Sequence, residues 1–92
     1  MSDTKPEGLF GGQNFIQELK EFRGQRVNVE FECGKIAKRV TGGTLVEVGS
    51  DFIQLNGKIN IIYIVPGMAQ PIVKKASIIV IPLNRVCAVE KP

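Results

Sequence analysis

The amino-acid sequence predicts a mainly β fold: a small, strongly bent antiparallel barrel of five to six strands, led by one short α-helix. Three observations predict it. The hydrophobic period changes from 3.6 to 2 at Arg26, a glycine pair interrupts a long strand pattern at Gly42-Gly43, and short apolar runs recur between turn signals up to the C-terminus. The 92 residues suffice for one domain, and a chain this short buries only about 60–65% of its unfolded surface. Such a domain gains stability by assembling.

Residues 1–12 are polar and rich in glycine, and read as a disordered or loosely docked arm ahead of a single domain at 13–92. The helical signal follows. Phe15, Leu19 and Phe22 recur at i, i+4 and i+7 with Ile16 beside them, predicting a helix over about 14–23. Asn14 is its expected N-cap and Gly24 its left-handed stop. A helix of this length is marginal alone, so its apolar stripe must lie on the neighbouring sheet.

Val27, Val29 and Phe31 alternate with Asn28, Glu30 and Glu32, the pattern of a strand with one buried face. Gly34 supplies the hairpin turn. A long strand from Ile36 to Val48 is predicted to bend or bulge at Gly42-Gly43, as a strand must where a small barrel turns a corner. Asp51 to Leu55 reads as a third strand, closed by a hairpin at Asn56-Gly57 and followed by an enlarged loop or hairpin over 56–77. The runs 59–65 and 78–81 are apolar on both faces, Pro82 breaks the ladder, and Arg85 to Val89 closes the domain.

A strand with two apolar faces needs two covers. The insertion could fold back on itself, or the second face could be buried against another copy of the chain; edge pairing between copies also satisfies backbone groups. Assembly is the favoured expectation, with Ile59, Ile61, Tyr63, Val65, Ile78 and Val80 as the oligomer interface.

The chain from the helix onward resembles the Sm/LSm-like family of SH3-like barrels, including its bacterial Hfq branch. The matching residues are Val27-x-Val29-x-Phe31, Gly34, Gly43-Thr44-Leu45, Phe52-Ile53-Gln54-Leu55 and Ile79-x-Ile81-Pro82-Leu83-x-x-Val86. The resemblance implies rings of six or seven subunits, joined edge to edge through the last strands, and RNA as a ligand. The family's RNA contacts are not matched here. Gly49 stands where an Asp is expected, with Asp51 two positions later, and Ile81-Pro82-Leu83-Asn84-Arg85 contains neither an Arg-Gly nor a Lys-His pair. A second pattern includes Gly24-x-x-Val27-x-Val29, Gly43-x-Leu45-x-x-Val48-x-x-Asp51-Phe52-Ile53-x-Leu55 and Ile81-Pro82-Leu83-x-x-Val86-x-x-Val89. It is similar to small Sm-like proteins of spore-forming Firmicutes, several of them described as spore-coat associated, and implies a structural role.

The net charge of +3 is concentrated between Lys20 and Arg39, as a solvated face or a nucleic-acid footprint. On the second reading Lys35, Lys38, Arg39 and Arg85 are the phosphate contacts, and an RNA-binding ring is the alternative function. The chain contains no His, so neither a Ser-His nor a Cys-His pair can form, and no Gly-x-Ser-x-Gly turn or phosphate-cradling loop occurs. A non-enzymatic chain without metal, cofactor or small-molecule substrate is expected. Cys33 and Cys87 read as half-buried thiols of a reducing compartment, with a bridge between them the other option. No apolar run reaches the ~20 residues of a membrane span, and the first residues carry no signal-peptide core. The expected location is therefore cytoplasmic or, from the second resemblance, spore-associated, with no membrane partner.

Overall fold

A computed structural model describes residues 13–92. The arm expected at 1–12 lies outside them. Helix α1 (Gln13–Glu21) is followed by strands β1 (Arg26–Cys33), β2 (Ile36–Val48), β3 (Phe52–Ile64) and β4 (Ile72–Pro82), a 3-10 turn at Leu83–Arg85, and β5 (Val86–Glu90). All five strands join one antiparallel sheet in the order β4-β3-β2-β1-β5, so β4 and β5 are its two edges. The mainly β class with one short helix is thus observed, as a five-stranded sheet.

α1 begins at Gln13, one residue before the expected cap at Asn14. Its stripe does the expected work: Leu19 is buried, with Phe15, Ile16 and Phe22 packed on the same core. Gly24 ends the helix at φ 84°, a conformation that costs a residue with a Cβ but not glycine. Its N–H donates to Leu45 O at 2.7 Å, and Leu45 N–H donates to Gln25 O at 3.0 Å. These two bonds tie the end of α1 to β2.

The core is what the period-2 pattern requires. Val27, Val29 and Phe31 of β1 meet Val40 and Leu45 of β2, Ile53, Leu55 and Ile59 of β3, and Ile81 of β4. Each such side chain, withdrawn from water, stabilises the fold by about 1.5–3 kcal/mol. The predicted bend in β2 is present. The register of both its ladders shifts near Gly42, whose φ is 83°. A Cβ there would meet Lys58 O at 2.5 Å, because β3 crosses the bend with Gly57 opposite Gly43.

One expected turn is not a turn. Asn56-Gly57 lies inside β3, which runs unbroken from Phe52 to Ile64, and the hairpin to β4 is made around Pro66-Gly67 instead. The positive φ for which glycine is preferred in a hairpin, 131° at Gly57, here serves an irregular pairing beside the bend; the β3–β4 register slips between Asn56 and Ile59. The enlarged 56–77 insertion is therefore an extension of the sheet itself, in which Ile59–Tyr63 pairs with Ile72–Ala76.

Candidate interaction surface

β4 is an edge strand of eleven residues, and most of its side chains are exposed. Ile78 and Val80 face away from the core at 55% and 54% exposure, while Ile79 and Ile81 turn inward. Farther along the same strand Val73 and Ile72 are also exposed. An edge strand offers unpaired backbone groups along its free side, and natural proteins usually protect such an edge with charge, proline or a covering element. Here Lys74, Lys75 and Pro82 supply such protection toward the two ends of the strand, and between them the exposed Ile78 and Val80 are β-branched.

The six expected interface residues divide. Ile59 is 1% exposed and belongs wholly to this chain's own core, and Ile61 packs against the same core. Tyr63 and Val65 are half-buried near the end of β3. Ile78 and Val80 remain free to meet another surface. Val73 and Ile72 fall within the loop or hairpin expected over 56–77, because a turn at Asn56-Gly57 displaces the start of the next strand.

The four expected cation contacts do not share one face. Lys38 and Arg39 are consecutive residues of β2 and point to opposite sides of the sheet. Arg39 donates to Glu30 at 2.5 Å and to Glu90 at 3.0 Å, so its guanidinium bridges β1 and the end of β5. Lys38 lies with its Nζ 5.6 Å from the Phe31 ring centroid and 4.9 Å from that of Tyr63. Lys74 approaches the same Tyr63 ring at 5.3 Å. Lys35 sits exposed in the β1–β2 turn, and Arg85 is exposed in the 3-10 turn.

A cleft of about 160 Å³ opens beside the Arg39 bridge, lined by Glu30, Glu32, Ala37, Lys38, Ile64 and Cys87 among others. Small-molecule sites commonly enclose roughly 300–1,000 Å³, so this cleft is too small for such a ligand. Cys33 and Cys87 are unpaired and exposed, not the half-buried thiols expected. Among the described residues no group of three or more His, Cys, Asp or Glu could hold a metal ion, and no helix is long and apolar enough to cross a membrane. No family model, curated protein or solved structure matches this chain.

Proposed function

We propose that this chain is a non-enzymatic assembly module: an Sm-like barrel that forms a homo-oligomer by seating the β5 edge of one copy on the β4 edge of the next. The observation that carries the reading is an eleven-residue edge strand with Ile78 and Val80 more than half exposed beside unpaired backbone. Edge-to-edge pairing satisfies both needs at once, since it completes the ladder and removes the valine and isoleucine side chains from water. Because β4 and β5 are different surfaces, the contact is head-to-tail and closes into a ring when its rotation permits. This agrees with the ring assembly that the Sm-like resemblance implies, and with the structural, spore-associated role implied by the second resemblance.

The test is molar mass in solution by light scattering over a range of concentrations, for the native chain and for Ile78→Lys and Val80→Lys. The native chain is expected at a discrete multiple of the chain mass. Each lysine variant places a charge in the contact and shifts the population to monomer with unchanged circular dichroism. A native chain that stays monomeric at every concentration overturns the proposal. Short poly-U and poly-A RNA added at low salt decide the alternative: a stable oligomer that takes up either RNA is an RNA-binding ring.

A further inference from the structure

The end of the β3–β4 hairpin carries a different chemistry from the Ile78–Val80 edge. From Phe52 to Val89 the chain contains no acidic residue, yet Lys58, Lys74, Lys75 and Arg85 fall within it. At the hairpin end Ile64, Met68, Ile72 and Val73 are 41–54% exposed, next to Pro66 and Pro71. Directly behind this apolar tip stand lysines on both faces of the hairpin. Lys74 lies on the Tyr63 side, and Lys75, the next residue of β4, points the other way. Lys38 adds a second ammonium over Tyr63, and Lys35 lies in the β1–β2 turn at the same end of the sheet, since Ala37 pairs with Ile64. Among the described residues neither Lys38 nor Lys74 has a carboxylate partner; the carboxylates nearest to Lys38 in register are Glu30, which is paired with Arg39, and Glu32, opposite Ala37.

We infer that this hairpin end docks on an anionic bilayer surface, tip first. An apolar tip with a collar of lysines and a tyrosine matches the order of a membrane interface: acyl chains, then the glycerol region favoured by tyrosine, then anionic headgroups. Lys38 and Lys74 hold their ammonium groups over the Tyr63 ring, and a lysine's long flexible stem lets such a group reach a headgroup when the tip docks. Lysines on both faces suit end-on insertion, whereas a groove for one extended polymer would gather them on one face. This is a surface contact and needs no spanning helix. Ile72 to Lys75 also belong to β4, but β5 has five residues, so its contact at the Ile78–Val80 end leaves the start of β4 uncovered and the two proposals can fail separately.

Co-sedimentation with vesicles tests it, comparing phosphatidylcholine alone with phosphatidylcholine containing phosphatidylglycerol. The full chain is expected to bind the anionic vesicles, to ignore the neutral ones, and to be released by salt. Each lysine near the surface contributes about five-fold in affinity, so Lys38→Gln/Lys74→Gln/Lys75→Gln should bind roughly a hundredfold more weakly. Lys74→Gln/Lys75→Gln alone, two exposed edge positions, should lose roughly 25-fold and guards against any folding defect from replacing Lys38. Met68→Asp and Val73→Asp should each abolish binding while leaving molar mass unchanged, and glycerol phosphate at matched concentration should not compete. Failure to bind anionic vesicles at low salt overturns the inference. So does unchanged binding by the lysine variants, a fall in molar mass for Met68→Asp or Val73→Asp, or displacement from vesicles by glycerol phosphate.

Discussion

Replacing Gly42 by alanine tests the central feature of the sheet, the place where β2 bends and β3 crosses it. Two costs combine. At φ 83° an L-residue is in the left-handed region, worth about 1–2 kcal/mol. The new Cβ would also stand 2.5 Å from Lys58 O, a backbone atom that cannot rotate aside, and overpacking of this kind costs about 1–3 kcal/mol. Reduced freedom of the unfolded chain returns about 0.4–1 kcal/mol. The net expectation is a loss of about 2–4 kcal/mol, against a total near 5–14 kcal/mol for a domain of 92 residues.

Gly34 separates the two costs. It has φ 66°, and an added Cβ there meets nothing within 4 Å, so Gly34→Ala carries the backbone cost without the collision. Thermal and urea unfolding, followed by circular dichroism at one fixed protein concentration, should rank Gly34→Ala well above Gly42→Ala in stability. The fixed concentration matters because assembly would itself raise the apparent midpoint. At about 4–8 °C per kcal/mol for a domain of this size, Gly42→Ala should melt roughly 10–30 °C below the native chain. If the two variants unfold together, the claim that the Lys58 carbonyl fills the space beside Gly42 is wrong.

Three further outcomes are expected. Leu55→Ala empties a fully buried site and should cost about 2–5 kcal/mol, read as a lower urea midpoint with little change in slope. Gly43→Ala should be destabilising in the native background, where its Cβ meets Leu55 Cδ2 at 2.9 Å and Leu55 Cβ at 3.0 Å, and less so with Leu55→Ala, which removes only the first contact; a double-mutant cycle should give a coupling of about 0.5–1 kcal/mol. Arg39→Met should change stability by no more than about 1 kcal/mol, because the guanidinium and both carboxylates it bridges are a third to a half exposed and screened by water. A large loss there, insensitive to salt, would contradict the surface character of that bridge.

What could be read from the sequence was whatever depends on near neighbours. The β1 alternation, the helix stripe ending at Gly24 and the bend at Gly42-Gly43 each follow from a period or a backbone need within a few residues, and each is in the fold. The hairpin expected at Asn56-Gly57 is absent for a physical reason. A positive φ at glycine is compatible with a hairpin and equally with an irregular strand pairing, and only the distant partner decides; here that partner is the bend itself, through Gly43. The same ambiguity conceals the exposed start of β4, where Ile72 and Val73 stand with the lysines behind them. The division of the 59–65 run was hidden for a related reason. Its residues are apolar on both faces, and composition cannot say which face meets the chain's own core. Register can: Val40 opposite Ile61, with Val29 beyond it, places that row inside, while Arg39 opposite Ile62, with Glu30 beyond it, places the next row outside. The free apolar surface therefore falls chiefly on β4. There Ile78 and Val80 flank an unpaired edge and Val73 flanks the lysine collar, two stretches of one strand with different surface chemistry.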